Sequence, residues 1–553
     1  MNLYKKYPKT AKIAIFTMVI GGFVALKPLD NPFEIAKNIE TFASLYKEVN
    51  TYYVDELNPN KMMKTASDAM LKSLDPYTVF YTEDQAEDYR IMTTGEYGGI
   101  GATIATRNGR VLVSMPQEKY PAYKAGLRAG DEIFEIDGKK VAGKKDADIS
   151  KLLKGQAGTI VKIFVKKYNK KDAEYVNVER GAIKIDNVTY FGMITNDVGY
   201  ISLDDFNQSA SVEVKNALEE LKKKGAKNII LDVRGNPGGL LNESVNICNL
   251  FIDRDLEVVQ TKGKNPQWNR AYKALNTAVD KEIPLIVLAN GRSASAAEIV
   301  SGVLQDYDRA VLIGQRTFGK GLVQATFRLP YNTQVKVTTS KYYIPSGRCI
   351  QALDYSNKSD DGVAGKTADS LRRAFKTKGG RTVYDGAGLE PDILLETTDN
   401  LPVIASLIGQ NHLFDYANIY ATDNKTIKPA LEFSLSDAEY QAFATWLKGK
   451  KYDYQTPLDK QVEQLSEIIK KDKNNANLQT ALNSLKQQIS QNKINDILTH
   501  KSLIKRRLEE EIVARYYQER GVVEAGFGED PEVQEAIKLF KDKARMMKIL
   551  RKN

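Results

Sequence analysis

Cysteine and histidine are both scarce in this chain of 553 residues, which contains two of each. Cys248 and Cys349 permit at most one disulfide bridge, which excludes a disulfide framework and a structural zinc site. His412 and His500 lie in the last third of the chain, outside every segment that is typical of an α/β core. A catalytic serine in such a core would have no well-placed histidine as its base, and lysine becomes the natural alternative.

Charge of one sign is not concentrated anywhere along the chain. Lys and Arg total 80 and Asp and Glu total 70, which gives a formal net charge of +10 at pH 7. The lysines are interspersed with acidic residues, and no nucleic-acid-binding motif or basic stripe accompanies them. The charge therefore indicates a solvated surface, and no nucleic-acid partner is predicted.

An uncharged apolar run occupies residues 13–26, after four lysines and before Lys27-Pro28. A basic segment ahead of an apolar run of this length is typical of a secretory signal. The run is short for a membrane-spanning helix, which needs about 20 residues. No cysteine adjoins the run, which excludes lipid attachment there. The sequence predicts export, and both cleavage of residues 1–30 and their retention as a membrane anchor stay open.

Periodicity divides the rest of the chain into segments of different kinds. Apolar residues recur at helical spacing from residue 31 to about residue 92, where Asp75-Pro76 and a short extended piece interrupt them. Between residues 187 and 345, short apolar runs alternate with helical segments, which favours an α/β layer with a largely buried sheet. The predicted strands are 198–202, 227–233, 284–289 and 310–314, with helices over 210–224 and 296–307. Residues 352–387 predict a surface loop, and the chain from about residue 400 is charged and mostly helical.

Glycines punctuate the segment from Tyr97 to Lys167, which opens on Gly98-Gly-Ile-Gly-Ala102 and contains a predicted helix at 147–153. Glycine permits close approach of another backbone. The ordered set of segments resembles a PDZ domain, a module that adds an extended peptide to a sheet edge and holds its terminal carboxylate with backbone N–H groups. The resemblance implies that a peptide C-terminus is bound by Gly99, Ile100, Gly101 and Ala102.

Three small-residue segments carry the candidate chemistry. Ser295 lies in Gly291-Arg-Ser-Ala-Ser-Ala-Ala-Glu298, and Lys320 lies 25 residues further on in Thr317-Phe-Gly-Lys-Gly-Leu-Val-Gln324. Asp232-Val-Arg-Gly-Asn-Pro-Gly-Gly239 follows a predicted strand. The phosphate-loop pattern Gly-x-x-x-x-Gly-Lys-[Ser/Thr] is absent around Lys320. Together the segments resemble the signature of the C-terminal processing peptidases, the tail-specific serine proteases with a Ser-Lys dyad.

The resemblance implies that Ser295 is the nucleophile, with Ser293 as its local competitor. A helix is predicted to begin just after Ser295, so the unpaired N–H of Ala296 is a candidate oxyanion donor. Lys320 would act as the base, which requires a neutral amine and a pKa lowered from about 10.4 by desolvation. The resemblance also implies that Gly239 is the second oxyanion donor and that Gly238 shapes its turn. Gln324 would orient the lysine, and Thr317 would form part of the lysine environment. Glu298 and Asp306 would anchor the helix.

The expected fold class is α/β, with a crotonase-like protease core, an inserted PDZ domain, an N-terminal helical region and a helical C-terminal extension. The expected boundaries are 1–30 for the export signal or anchor, 31–92 for the helical region, 93–170 for the PDZ domain, 171–398 for the core and 399–553 for the extension. We expect the extension to be a solvated accessory bundle or a dimerising one.

The implied activity is cleavage of polypeptides near their C-termini through an acyl-enzyme, outside the cytoplasm and in the bacterial periplasm, with no metal or organic cofactor. Polypeptides with free C-termini are the expected partners. An adaptor protein, membrane contact through the N-terminal segment and a homo-oligomer through the C-terminal helices stay open. A non-catalytic PDZ adaptor or scaffold is one alternative, although it predicts loss of Ser295 or Lys320. A crotonase-type acyl-CoA enzyme is the other, although it explains neither the PDZ resemblance nor the Ser-Lys pair.

Overall fold

The computed structural model describes residues 32–168, 170–358, 364–396, 401–452, 454–471 and 476–551. The chain divides into two compact units, Met1–Phe80 and Tyr81–Asn553. The apolar run at 13–26, predicted to be an export signal or anchor, lies outside the described residues.

The described part of the first unit, from Pro32 onward, is mostly helical, as its periodicity predicts. It contains α1 (Pro32–Tyr52) and α2 (Pro59–Lys72), and the short strand β1 (Val79–Tyr81) follows them. Helix α2 begins where it does because the side chain of Asn58 caps it, accepting the Lys61 N–H at 3.0 Å. No residue of α1 is buried, and most of its apolar side chains are exposed.

The second unit opens with α3 (Glu83–Thr94) and a β-rich region that contains the PDZ-like segments. The elements of this region are β2 (Glu96–Gly99), β3 (Ala102–Arg107), β4 (Arg110–Pro116), α4 (Pro121–Lys124), β5 (Glu132–Ile136), β6 (Lys139–Lys140), α5 (Asp146–Leu153), β7 (Ile160–Lys166), β8 (Ala173–Glu179) and β9 (Gly181–Lys184). Strands β3, β4, β5, β7 and β8 pair in that order as an antiparallel sheet, β6 pairs with β5, and β2 pairs with β9. Alternate residues of β7 are buried with Ile149 and Leu153 of α5, so the predicted helix at 147–153 packs on the sheet.

A mainly parallel sheet follows, as the strand–helix alternation predicts. Its strands are β10 (Val188–Met193), β11 (Val198–Leu203), β12 (Asn228–Asp232), β15 (Leu285–Ala289), β16 (Val311–Gly314) and β23 (Ile393–Leu394), in that spatial order. Only the β10–β11 pair of this sheet is antiparallel. The helices between these strands are α6 (Ala210–Lys223), α7 (Leu241–Phe251) and α8 (Ala296–Asp306).

Both faces of this parallel sheet are buried. Alternate residues, such as Leu231 of β12 and Val287 of β15, pack with α6, α7 and α8. The residues between them, such as Ile230 and Ile286, pack on the opposite face against α15 (Pro531–Lys541) and α16 (Lys543–Ile549). Burial on both faces explains why these strands are continuous apolar runs rather than alternating ones.

A second, antiparallel set of strands stands beside the parallel sheet. It contains β13 (Glu257–Lys262), β14 (Arg270–Lys273), β17 (Leu322–Arg328) and β18 (Gln334–Tyr343). Strand β17 pairs with β18, β18 pairs with β13, and β13 pairs with β14.

The surface loop predicted over residues 352–387 instead contains two antiparallel strand pairs. The pairs are β19 (Leu353–Lys358) with β20 (Ala364–Lys366), and β21 (Ala374–Lys376) with β22 (Thr382–Tyr384). Arg381 lies in the second pair's turn, is 8% exposed and forms ion pairs with Asp308 and Asp392 at 2.5 Å each. Buried ion pairs therefore order a segment that has no apolar periodicity.

The remaining C-terminal helices are α9 (Pro402–Gly409), α10 (His412–Asp423), α11 (Asp437–Leu447), α12 (Pro457–Lys471), α13 (Ala476–Thr499) and α14 (Lys501–Gly526). Helices α9, α10 and α11 share a core with parts of α13 and α14. The C-terminal extension is thus helical as predicted. However, its last two helices cover a face of the protease sheet, so the expectation of a separate solvated or dimerising bundle is wrong for residues 531–549.

Candidate active site

The three small-residue segments all begin near the carboxyl ends of parallel strands. Strand β12 ends at Asp232, β15 at Ala289 and β16 at Gly314. Segments 232–239, 291–298 and 317–324 start at or shortly after these strand ends. Because the strands are parallel, their carboxyl ends meet at one edge of the sheet, where open α/β sheets bind their ligands.

Ser295 directly precedes α8 and has an unusual backbone conformation, with φ 55° and ψ −112°. Three contacts hold this backbone. The Ser295 N–H donates to Glu298 Oε2 at 2.9 Å, and the Ser295 carbonyl accepts the Ile299 N–H at 2.9 Å and the Tyr342 hydroxyl at 3.3 Å. A positive φ is rare for a residue with a side chain and persists where the surroundings enforce it, often at functional sites. The Ser295 residue is half-buried, so its side chain is not sealed from solvent.

The carboxylate of Glu298 joins the serine segment to the lysine segment. Glu298 is 0% exposed, and it accepts hydrogen bonds from Ser295 N–H at 2.9 Å, Thr317 Oγ1 at 2.5 Å, Gly319 N–H at 2.7 Å and Lys320 N–H at 2.8 Å. Burial raises the pKa of Glu298, and these four donors oppose that rise. One side chain therefore fixes the backbone amides of both Ser295 and Lys320.

Gly238 brings the third segment against the serine. Its φ is 91°, and a Cβ atom at this position would lie 2.8 Å from both Ala296 N and the Ser295 Cβ. Only glycine permits this approach. The Gly238 N–H donates to Asn236 Oδ1 at 2.8 Å and is therefore already occupied. The next amide along the chain belongs to Gly239, which is an exposed residue.

Ala296 is the first residue of α8. The first N–H groups of a helix lack partners within the helix and point along its axis. The close approach of Gly238 to Ser295 and Ala296 therefore places Gly239 near the start of α8.

The competing hydroxyl of Ser293 has a structural function. Ser293 is 0% exposed, donates its hydroxyl to the Val233 carbonyl at 2.7 Å and accepts the Asn290 N–H at 3.0 Å. These bonds join the serine segment to the turn after β12.

Thr317 belongs to the same cluster, whereas Asp306 does not. The Thr317 hydroxyl donates to Glu298 and accepts the Leu389 N–H at 2.8 Å. Asp306 lies at the far end of α8, about 15 Å from the start of the helix at 1.5 Å per residue. Its carboxylate pairs with Arg348 Nη2 at 2.8 Å, and both side chains are almost fully buried. Asp306 therefore anchors the end of the helix and does not reach Ser295.

Gln324 lies on β17, near Lys320 in sequence. Its side-chain N–H donates to Thr338 Oγ1 of β18 at 3.2 Å. Orientation of Lys320 by Gln324 stays a prediction.

Tyr342 contacts the candidate site, although sequence reasoning did not predict a role for it. It is 1% exposed, and it lies in β18, outside all three segments. A hydrogen bond between distant elements leaves no periodic pattern, and the one available signal was the aromatic pair Tyr342-Tyr343 in a strand next to the lysine segment.

A groove lies between β3 and α5 of the PDZ-like region. It has a volume of about 220 Å³, and its lining includes residues 99–104 on one side and Ser150 and Leu153 on the other. Gly101 has φ 68°, and a side chain there would overlap Tyr120. The carbonyls of Ile100 and Gly101 accept bonds from Ala122 and Gln117 at 2.8 and 3.1 Å, which fixes the turn at the end of the groove.

Among the described residues, no cluster of three or more His, Cys, Asp or Glu side chains is arranged to hold a metal ion. Along the same ranges, no helix combines the length and the apolar content that a bilayer crossing needs.

Three family models match this chain. Residues 197–356 match Peptidase family S41, residues 112–167 match the PDZ domain, and residues 403–540 match "Probable PDZ-protease, C-terminal helical domain". The first model covers β11, β12, β15 and β16 of the parallel sheet, the second covers the middle of the PDZ-like region, and the third covers most of the C-terminal helices.

Curated relatives agree with these matches. The chain is 35% identical over 321 residues to the carboxy-terminal-processing protease of Bartonella bacilliformis, which covers 57% of this chain and 73% of that protein. It is 33% identical over 318 residues to a probable CtpA-like serine protease of Staphylococcus haemolyticus, which covers 57% of this chain and 63% of that protein. Among solved structures, the photosystem II D1 C-terminal processing protease is 29% identical, covers 64% of this chain and 92% of its own, and has a TM-score of 0.34.

The fold and the matches define a PDZ-containing serine-type peptidase. The chain belongs to the carboxy-terminal-processing proteases of peptidase family S41. The predictions of this family, of the mixed α/β fold class with a PDZ domain and of serine peptidase activity are therefore confirmed.

Proposed function

We propose that this protein cleaves polypeptides near their free C-termini with Ser295 as nucleophile and Lys320 as general base. The Glu298 carboxylate carries the proposal, because it binds the amides of Ser295 and Lys320 at 2.9 and 2.8 Å. Two segments that are separate in sequence are thereby held at one buried anchor. Lys320 and Ser295 are each half-buried, which suits a dyad that must be partly desolvated and still reach a substrate.

The reaction begins when the neutral amine of Lys320 takes the proton from Ser295 Oγ as that oxygen attacks the scissile carbonyl. The resulting tetrahedral oxyanion accepts hydrogen bonds from the amides of Gly239 and Ala296. Each good donor of this kind stabilises a transition state by roughly 3–4 kcal/mol. Collapse of the intermediate breaks the C–N bond, and the Lys320 ammonium returns its proton to the leaving amine. Water then hydrolyses the Ser295 ester by the same steps, with Lys320 again as base.

The supporting side chains have separate roles in this proposal. Glu298 and Thr317 hold the lysine segment, Gly238 permits the close approach of the oxyanion turn, and Gln324 orients Lys320 from β17. Asp306 stabilises the far end of α8 through Arg348 and has no part in the chemistry.

The PDZ groove selects the substrate in this proposal. Gly99, Ile100, Gly101 and Ala102 bind the terminal carboxylate through backbone N–H groups, and the space beside Leu153 takes an apolar side chain. The N-terminal apolar run directs the chain out of the cytoplasm to the periplasm, as a cleaved signal or as an anchor.

Three variants test the dyad on a peptide with a free C-terminus. Ser295→Ala and Lys320→Ala should each abolish hydrolysis without unfolding the protein, since loss of one member of such a unit is about as damaging as loss of both. Ser293→Ala is the matched control. It should retain turnover but lose about 1–3 kcal/mol of unfolding free energy, because the Val233 carbonyl and the Asn290 N–H lose a buried partner. If turnover survives in Ser295→Ala and disappears in folded Ser293→Ala, the nucleophile is Ser293 and the assignment to Ser295 is wrong.

A further inference from the structure

Arg234 lies in the candidate oxyanion segment and contacts three carboxylates from two distant parts of the chain. Its guanidinium bonds Asp232 Oδ2 at 2.5 Å, Asp530 Oδ2 at 2.8 Å and Glu532 Oε2 at 3.2 Å. Asp232 ends β12, whereas Asp530 and Glu532 stand at the start of α15, about 300 residues further along the chain. The arginine thus joins the turn after β12 to the C-terminal helical region.

This cluster is not an ordinary surface ion pair. The Arg234 side chain is 20% exposed, Asp232 is 6% exposed and Glu532 is 4% exposed. Exposed ion pairs contribute little, but removing one partner of a buried, hydrogen-bonded pair leaves an uncompensated charge. Arginine suits the position because its planar group presents several donors in a fixed arrangement.

Each carboxylate is itself held in place. Asp232 also accepts the Tyr200 hydroxyl, and its Oδ1 accepts the Arg234 N–H at 2.8 Å. Asp530 caps α15, accepting the N–H groups of Glu532 and Val533 at 3.0 Å each. The cluster therefore connects a strand end to a helix end through groups that have little freedom of their own.

The segment fixed by Arg234 leads directly to the candidate oxyanion donor. Gly235, the next residue, has φ 77° and donates its N–H to Asn290 Oδ1 at 3.0 Å. Asn236 then donates to the Leu203 carbonyl at 2.7 Å, ahead of Gly238 and Gly239. Arg234 controls the first residue of this turn, and a misplacement of about 1 Å at a catalytic group can cost a hundredfold in rate.

We propose that helix α15 positions the oxyanion turn through Arg234, so that the C-terminal helical region is a working part of the protease site. Arg234, Asp530 and Glu532 are positioning residues in this proposal, since they act on the turn through their contacts with one another. This inference rests on the proposed function of Gly239 as an oxyanion donor.

The charges of the cluster give the inference a pH signature. Burial raises the pKa of Glu532 to about 7, with the charge of Arg234 opposing the rise and that of Asp530 adding to it. Burial would also raise the pKa of Asp530, but Arg234 outweighs it and holds that pKa below its usual range. As pH falls through about 7, Glu532 therefore takes up a proton and loses its charge, while Asp530, whose pKa is lowered, keeps its charged contact to Arg234. Because the fold raises the pKa of Glu532, ionisation of this carboxyl costs free energy in the folded state, and the cluster is most stable below that pH.

The test compares Arg234→Ala, Arg234→Lys and Glu532→Gln with the wild-type enzyme. Leu539→Ala is the matched control, because Leu539 is a fully buried residue of α15 that packs on the sheet and is not among the contacts of Arg234. Ile537→Ala, at a half-buried position of the same helix, replaces it if Leu539→Ala does not fold. The measurements are kcat and KM on a free-acid peptide, the inhibition constant of a peptide aldehyde that forms a tetrahedral adduct, and melting temperature.

We expect Arg234→Ala to lower kcat at least about tenfold with KM within about twofold, and the aldehyde to bind correspondingly less tightly. Arg234→Lys should lie between it and the wild type. The inflection of kcat near pH 7 should disappear in Glu532→Gln. The control should melt at a lower temperature and keep its kcat below that temperature.

The inference is overturned if folded Arg234→Lys and Arg234→Ala keep kcat and aldehyde affinity within twofold of the wild type. It is also overturned if the control loses as much kcat for an equal drop in melting temperature, since the role would then be general stability. Ser295→Ala distinguishes failure of this inference from failure of the proposed function. If Ser295→Ala still hydrolyses the peptide, the proposed dyad is wrong, regardless of the results for the Arg234 variants.

Discussion

At the scale of single residues, the backbone of Ser295 is the most informative feature of the site. A residue with a side chain at φ 55° and ψ −112° is strained, and such positions cost about 1–3 kcal/mol. The strain is maintained by Glu298, which binds the amide, and by Tyr342, which binds the carbonyl. A sharp turn of this kind between a strand and a helix exposes a nucleophile to substrate.

This strain predicts an inverted order of stability for two inactive variants. In an ordinary position, replacing Ala by Gly costs about 0.5–1 kcal/mol. At position 295 glycine relieves the positive φ, so Ser295→Gly should be at least as stable as Ser295→Ala in urea denaturation. If Ser295→Gly is instead less stable by about 1 kcal/mol, as expected for an unstrained site, the conformation of Ser295 is not the one described here.

At the scale of elements, the groove between β3 and α5 is the feature on which the proposed selection of chain ends depends. The glycine-rich opening of the PDZ segment and a helix at 147–153 could be predicted from the sequence, and the helix is observed at Asp146–Leu153. The strand pairs within residues 352–387 could not. Their order depends on ion pairs that Arg381 forms with Asp308 and Asp392, which lie outside this segment, and such contacts leave no pattern in a polar segment.

The groove predicts that a free C-terminus promotes cleavage. Amidating a peptide removes the negative charge that the turn at Gly99–Ala102 would bind, so the amidated peptide should be cleaved with a lower kcat/KM than its free-acid twin. The control is a peptide ester too short to reach the groove, whose hydrolysis should not depend on its terminal group. Equal cleavage of the two long peptides would mean that the groove does not select C-termini.

At the scale of the whole molecule, the parallel sheet is covered by helices from two distant regions of the chain. Short apolar runs predicted four of its six strands, β11, β12, β15 and β16, and favoured a largely buried sheet. The helices that cover the second face, α15 and α16, could not be assigned to it from the sequence. An amphipathic helix shows that it has an apolar face, but it does not show which surface that face contacts.

The same limit applies to the candidate site. The order and content of the three segments predicted which residues would meet at the carboxyl edge of the sheet. The role of Glu298 as a common anchor, the bond from Tyr342 and the cluster around Arg234 depend on the folded arrangement. The bonds from Lys320 to Glu298, from Tyr342 to Ser295 and from Arg234 to Glu532 each join residues whose separation in sequence carries no information about their contact.

The central claim is an acyl-enzyme on Ser295 whose formation needs Lys320. The most direct measurement is rapid acid quenching of the enzyme during turnover of an activated ester, followed by digestion and mass spectrometry to locate the acyl group. We predict an adduct on Ser295 that is absent in Lys320→Ala and unchanged in Ser293→Ala. An acyl group on Ser293 would contradict the account. So would full turnover of the ester by the wild-type enzyme without any acyl group on Ser295.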